Sequence, residues 1–272
     1  MAPTLLKKGV NFKVRTNLKG FNEYVTKRGL VQNKGVYMDM SPHKHFGYDS
    51  ELMARHDIEL GSFVNYWIAA PRASTDTWRL QGRFGDDFIQ GTDAGENDIR
   101  GLAGDDYLHG SANHPDRLSG GDGNDNIYGY KGNDTIFGDD GSDVLSGGQG
   151  DDKLFADGGN DSLYGAKGDD TLWGGPGDDL LMGGPGKNRL DGDQGADLFG
   201  LLQKAENVIH DFDPFGGDRL LMRSKDMANL RILPKGSGFI LDLGKKGNTT
   251  IFPMEGTDIT ADNIMDAISL RR

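Results

Sequence analysis

The stretch GNDNIYGYKGNDTIFGDDGSDVL, residues 123–145, repeats one phrase three times. Asp125, Asp134 and Asp143 stand nine residues apart, and each is followed two positions later by an aliphatic residue, Ile127, Ile136 or Leu145. Outward from this stretch the phrase recurs as thirteen tandem repeats from Gly82 to Gly200, with the consensus G-G-x-G-x-D-x-U-x and U a large apolar residue. The sixth positions are Asp87, Asn97, Asp106, Asp116, Asp125, Asp134, Asp143, Asp152, Asp161, Asp170, Asp179, Asn188 and Asp197. From Asp125 onward the spacing is an unbroken nine, whereas the second and fourth repeats each carry one extra residue.

Six residues rich in Gly and Asp favour a turn, because glycine reaches positive φ without steric cost. The next three, such as Asn126-Ile127-Tyr128, suit a short strand in which the middle residue points inward and its neighbours outward. One repeat cannot bury its aliphatic residue alone, but stacked repeats can. Two repeats then make one coil, with a turn on each side and a strand in each of two parallel sheets. Thirteen repeats amount to about six coils, roughly 30 Å at ~4.8 Å per strand. The fold class expected is all-β, a two-sheet solenoid.

This arrangement stacks carboxylates. Odd repeats turn on one side and even repeats on the other, so Asp125 lies over Asp143 and Asp143 over Asp161. Carboxylates so placed raise one another's pKa. A hard dication between successive turns removes the conflict. Calcium suits it, since it accepts six to eight oxygens from carboxylates and carbonyls in flexible geometry. Zinc would want His or Cys, and the turns from Asp125 onward contain neither.

The repeats resemble the RTX (repeats-in-toxin, hemolysin-type) calcium-binding family, most closely in GGDGNDNIY at 120–128, GGQGDDKLF at 147–155 and GGPGDDLLM at 174–182. The resemblance implies a right-handed parallel β-roll with several calcium ions, about six or more. Each ion would lie between successive turns on one side, held by sixth-position carboxylates and turn carbonyls. That pairs Asp125 with Asp143, Asp143 with Asp161, Asp161 with Asp179 and Asp179 with Asp197. On the other side it pairs Asp134 with Asp152 and Asp152 with Asp170. Asp87 and Asp106 join the candidate ligands, as do the turn glycines Gly120, Gly129, Gly138, Gly147, Gly165, Gly174 and Gly183. Asn97, Asn188 and the irregular fourth repeat, GSANHPDRLS, all fall on the even side, and sites near Asn97, Asp116 and Asn188 are expected to be weaker or empty.

Charge follows the same division. Basic and acidic residues number 12 and 7 in residues 1–80, 8 and 25 in 81–200, and 10 and 10 in 201–272. The acidic middle segment has the wrong sign for phosphate, so nucleic acid is not an expected partner. The absence of cysteine rules out disulfides and thiolate metal sites. Residues 1–30 hold no apolar run of the kind a cleavable signal needs, and no stretch is long enough to be a transmembrane segment.

Three domains follow. Residues 1–80 form a small β-containing N-terminal domain of unknown role, 81–200 the roll, and 201–272 a β-rich cap. The cap reads as strand, acidic turn and strand over NVIHDFDPFGGDRLLM (207–222), then hairpin strands over 230–254, then a short helix N-capped by Thr260. Its VIHDFDP and GDRL segments are similar to the region that follows the repeats in secreted serralysin-like proteases. That resemblance implies a type I secretion signal, export by that machinery and an extracellular location. In residues 1–80 a hairpin is expected at Asn33-Lys34-Gly35 and a buried strand in GSFVNYWIAAP, while His43 and His45 share one face if extended but, without a third ligand, are not expected to hold a metal.

No HExxH motif and no G-x-S-x-G motif is present, so no catalytic residue is assigned. The leading expectation is a secreted calcium-binding protein that folds on metal binding and meets a matrix, a cell surface or an extracellular polysaccharide. The alternative is a small exported enzyme or toxin with its activity in residues 1–80. Phe137, Phe155 and Trp173, eighteen apart, form an outward aromatic row, read chiefly as packing and secondarily as a sugar-binding surface.

Overall fold

The computed structural model describes residues 58–59, 66–67, 77–82, 84–91, 93, 95–201, 205–228, 230–243 and 247–271. The Asn33-Lys34-Gly35 hairpin and the histidines 43 and 45 lie outside the described residues, as does most of GSFVNYWIAAP.

The nine-residue clock produces two parallel sheets. In one, β8 (Asn126–Lys131), β10 (Val144–Gln149), β12 (Ser162–Lys167), β14 (Leu180–Met182) and β16 (Leu198–Gly200) are successive neighbours. In the other, β7 (Arg117–Asp122), β9 (Thr135–Asp140), β11 (Lys153–Gly158), β13 (Thr171–Trp173) and β15 (Gly186–Asp191) are neighbours. Register pairs each residue with the one eighteen ahead, as in Ile127↔Leu145↔Leu163, so the coil is two repeats. The inward apolar residues become two continuous columns. One runs Leu118, Ile136, Leu154, Leu172, Leu190, and the other Ile127, Leu145, Leu163, Leu181, Phe199, all fully buried. Burial of a side chain of this size contributes about 1.5–3 kcal/mol, so the columns are the main adhesive between coils.

The turns close because fourth-position glycines adopt positive φ. At Gly141 φ is 147°, and a Cβ there would collide with the carbonyl oxygen of Gly123 in the preceding coil. Fifth-position side chains add a forward ladder: the N–H of Ser142 donates to Oδ1 of Asn124 at 2.9 Å, and that of Asp178 to Oδ1 of Asn160 at 2.9 Å.

The roll runs past the repeats at both ends, to about eight coils. Before them, β3 (Trp78–Gln81) pairs in parallel with β5 (Asn97–Ala103), and β4 (Phe88–Gln90) with β6 (Tyr107–His109). Two further strands, β1 (Ile58–Glu59) and β2 (Tyr66–Trp67), pair in parallel with β3 and β4. After the repeats, β17 (Ala205–Phe212) pairs with β15, and β18 (Arg219–Arg223) with β16, so Ile209 and Leu220 extend the two columns. The one-residue insertions leave the strand register intact, with Ile99 still opposite Leu118.

The last segment closes the C-terminal end. A short helix, α1 (Ser224–Met227), follows β18, and β19 (Arg231–Lys235) and β20 (Gly238–Asp242) form an antiparallel hairpin. β20 then pairs antiparallel with β21 (Asn248–Pro253), which lies parallel to β17. Thr260 caps α2 (Ala261–Asp266) as expected, in a reciprocal capping box with Asn263. α2 buries Ile264, and β22 (Ile268–Arg271) completes the other sheet against β18. Among the described residues the sheets hold twelve and ten strands, and no helix is long and apolar enough to cross a membrane.

Candidate metal centres

The turn sequence sets where each sixth-position side chain goes. It immediately precedes a strand, and its backbone stacks on the turn one coil away. Every sixth-position residue from Asp87 to Asp197 is at most 5% exposed. One carboxylate oxygen is consumed by the stack. The N–H of Asp125 donates to Oδ1 of Asp143 at 2.7 Å, that of Asp143 to Asp161 at 2.7 Å and that of Asp161 to Asp179 at 2.8 Å. The N–H of Asp179 donates to Asp197 at 2.9 Å. On the even side the N–H of Asp134 donates to Oδ1 of Asp152 at 2.8 Å, and that of Asp152 to Asp170 at 2.9 Å. Asp87 and Asp106 extend the odd row backward, the N–H of Asp87 donating to Oδ1 of Asp106 and that of Asp106 to Oδ1 of Asp125.

The second oxygen is left over. Among the described residues, Oδ2 is buried and has no hydrogen-bond partner in nine aspartates. Six belong to the odd row (Asp106, Asp125, Asp143, Asp161, Asp179, Asp197) and three to the even row (Asp134, Asp152, Asp170). A buried acceptor without a partner costs ~1–3 kcal/mol, and more when charged. Burial is the first cause pushing these carboxyl pKa values up, opposed by the backbone N–H bond and reinforced in all nine by neighbouring carboxylates. Asp152 rises to about 8, Asp106, Asp134, Asp143, Asp179 and Asp197 to about 7, and Asp125, Asp161 and Asp170 to about 6.

First-position glycines keep the space beside each leftover oxygen open. A Cβ on Gly120 would collide with Oδ2 of Asp125 and lie 2.8 Å from the carbonyl oxygen of Gly138. Gly129 stands in the same relation to Asp134 and Gly147, Gly138 to Asp143 and Ala156, Gly165 to Asp170 and Gly183, and Gly174 to Asp179 and Gly192. Gly147 faces Oδ2 of Asp152. Gly183 differs, because the neighbouring side chain is the amide of Asn188. Gly101 and Gly192, which the sequence reading passed over, lie beside Oδ2 of Asp106 and Asp197. Among the described residues no three His, Cys, Asp or Glu side chains converge on one point. The donors on offer are therefore carboxylate oxygens, one per turn, with backbone carbonyls around them. That set fits a hard, oxygen-seeking dication such as calcium and not zinc.

The rows end where the chain satisfies its own polar atoms. Nδ2 of Asn97 donates to Oδ1 of Asp116 at 2.7 Å and to the carbonyl of Gly95 at 3.2 Å, and Oδ2 of Asp116 accepts from the N–H of Ser111. At the other end Nδ2 of Asn188 donates to the carbonyl of Gly184 at 2.9 Å and to Oδ1 of Asn207 at 3.0 Å. The odd row stops at Asp218, whose two oxygens accept from the N–H groups of Asp197 and Asp213. Asn207 and Asp218 thus continue the sixth-position rows beyond the repeats. Asp211, where β17 meets the acidic turn, accepts from the N–H groups of Gly192 and Asp193.

On the outer face, Phe137, Phe155 and Trp173 do stack, at 5.1 and 4.5 Å between centroids and within 9° of parallel. Arg117 covers Phe137 at 4.3 Å, and Arg189 lies 5.6 Å from the centroid of Trp173. The ring faces are turned to one another and to guanidinium groups, which leaves edges outward. A sugar stacks on a ring face, so this row acts as packing. On the opposite sheet Tyr128, Ser146, Tyr164 and Met182 share one row, and His109 sits among Phe88, Tyr128 and Tyr130.

Four overlapping segments, 92–114, 112–145, 137–172 and 164–199, match the model of the RTX calcium-binding nonapeptide repeat. No curated protein matches the chain. Among solved structures the chain is similar to the extracellular lipase LipA from Serratia marcescens, at 17% identity and a TM-score of 0.35, over 73% of this chain. The match spans 41% of that lipase. Residues 92–199 are RTX calcium-binding nonapeptide repeats.

Proposed function

We propose that this chain is a secreted calcium-binding protein whose roll closes as calcium binds outside the cell, and that the closed roll serves contact with a matrix or cell surface. The observation that carries this reading is the set of nine buried carboxylate oxygens without a partner. Asp106, Asp125, Asp143, Asp161, Asp179 and Asp197 would hold the metal on one side, and Asp134, Asp152 and Asp170 on the other, with turn carbonyls completing each set. A bound cation supplies the charge that lets these buried carboxylates stay ionised. Without it each must take a proton or leave the interior.

The consequence is a switch set by calcium concentration. Extracellular calcium modules bind at roughly 10⁻⁴–10⁻³ M. In a low-calcium cytosol the acidic middle segment repels itself and stays open for export. In calcium-rich surroundings binding free energy becomes folding free energy. Residues 201–272 close the last coil, and we assign them the type I secretion signal. The described strands of residues 58–81 pair into the sheets of the roll, so we assign a separate N-terminal domain only to residues before Ile58, and no catalytic role to any residue.

Calorimetry of calcium into EDTA-stripped protein, with circular dichroism alongside, tests the reading. Uptake of six or more ions with a gain of β signal supports it. A chain fully folded in EDTA, or one that binds without folding, sinks it.

A further inference from the structure

Across the outer face of the twelve-stranded sheet, one row reads Arg100, Ser119, Phe137, Phe155, Trp173 on successive strands. Ser119 is its short member, and Gly121 on the same strand is shorter still. The missing bulk leaves a cavity of about 390 Å³ one coil before the aromatic stack. Ser119, Gly120 and Gly121 line it, Arg100 and Arg117 reach it, and Leu102 and Asp139 border it on the neighbouring strands. The volume is in the range of small-molecule sites.

We propose that this notch binds a hydroxycarboxylate, an organic anion with hydroxyl groups close to its carboxylate. Arg117 lies over the ring of Phe137 at 4.3 Å. Stacking engages the flat face of a guanidinium and leaves its edge N–H donors for a carboxylate. Arg100 is held by Asp98, its Nε and one Nη each 3.3 Å from a carboxylate oxygen, which fixes the second guanidinium beside the cavity. Two arginines meet at this cavity, Arg100 paired with Asp98 and Arg117 with no carboxylate partner among the described residues, with Asp139 on the opposite border.

The hydroxyl requirement comes from the other wall. Ser119 donates its proton to Oδ2 of Asp139 at 2.6 Å, so its oxygen and the carboxylate of Asp139 are both acceptors toward the cavity. An anion without hydroxyl groups would meet these acceptors with no donors to offer, and a neutral sugar would leave the guanidinium of Arg117 without a carboxylate. A free sugar acid and a uronate unit of an acidic polysaccharide share the chemistry that satisfies both walls.

The inference rests on the calcium reading only in that the notch needs the closed roll, so the test is run on the full chain in millimolar calcium. ¹⁵N-labelled protein is titrated with D-glucuronate, D-glucose and a hyaluronan tetrasaccharide. Glucuronate or the tetrasaccharide is expected to shift the amides of Ser119, Gly120 and Gly121, with glucose at least tenfold weaker. Arg117→Ala and Arg100→Ala should each weaken the acid at least tenfold, with the spectrum still well dispersed in calcium and other shifts confined to the neighbours of the substituted residue. Tighter binding of the tetrasaccharide identifies a polymer as the source, and binding confined to glucuronate identifies the free acid. A well-dispersed spectrum that neither acid shifts, or shifts that survive both substitutions, overturns the inference and leaves the calcium reading intact. A spectrum that stays collapsed in calcium overturns the calcium reading, and this one with it.

Discussion

The backbone N–H of Asp125 donates to one carboxylate oxygen of Asp143, and the other oxygen of Asp143 is buried without a partner. Asp143→Asn should therefore separate the two states of the protein. The amide keeps the acceptor for Asp125 and removes a charge that burial penalises. In EDTA the variant should be more stable than the parent by about 1–3 kcal/mol. In calcium it should be less stable and should bind at least one ion fewer. Melting curves in both conditions with a calcium count check this, and equal shifts in both would contradict it.

Asn188→Asp is the converse. The amide of Asn188 donates to the carbonyl of Gly184 and to Oδ1 of Asn207, and a carboxylate in its place would face two acceptors. The expected result is a metal-free protein destabilised by about 1–3 kcal/mol and a gain of one bound calcium. Native mass spectrometry counts the ions directly.

The pH dependence of the metal-free roll has a definite sign. Burial raises the carboxyl pKa values in the closed roll from 3.8 to about 6 at Asp125, about 7 at Asp143 and about 8 at Asp152. The closed state then binds more protons than the open one, so its stability falls as pH rises from near 4 through the raised values. Each retained proton is worth about 1.4 kcal/mol per pH unit within that window. In EDTA the β signal should be stronger at about pH 5 than at about pH 8, with calcium abolishing most of the difference. A metal-free roll more structured at the higher pH would refute the assignment of buried, protonated carboxyls.

Two glycines make a matched pair. A Cβ on Gly120 would collide with Oδ2 of Asp125, while one on Gly158 would meet nothing closer than 3.6 Å. Gly120→Ala should weaken calcium uptake and lower the melting temperature in calcium. Gly158→Ala should change stability by about 0.5 kcal/mol or less, the size typical of surface changes. Differential scanning calorimetry of both variants in calcium checks the contrast.

Much of this was legible because a fixed period carries register with it. Once Asp125, Asp134 and Asp143 were read as one phrase, Ile127 and Leu145 had to share a column, and they do. The irregular even repeats also announced themselves, through Asn97 and Asn188. What escaped were rungs that keep the chemistry and lose the spacing. Asn207-Val208-Ile209 and Asp218-Arg219-Leu220 still set an amide or carboxylate two residues before an aliphatic. They lie nineteen and twenty-one residues after Asn188 and Asp197, outside the eighteen-residue frame. The bond from Ser111 N–H to Asp116 depends on the path of an irregular turn and leaves no trace in the residue pattern. Ring orientation was equally hidden. Spacing put Phe137, Phe155 and Trp173 in one row, and only their near-parallel planes show that the faces are spent on each other.

The register of i with i+18 also limits how such a chain can change length. Removing a single nonapeptide would move everything after it to the opposite sheet. The aromatic row would be cut and resumed on the wrong side, and the amides that end the short row of carboxylates would fall in line with the long one. Removing two adjacent repeats would shorten the roll by one coil and leave every later side chain on its own face. Nine residues are the unit in which this protein is written, and eighteen the unit in which it can be edited.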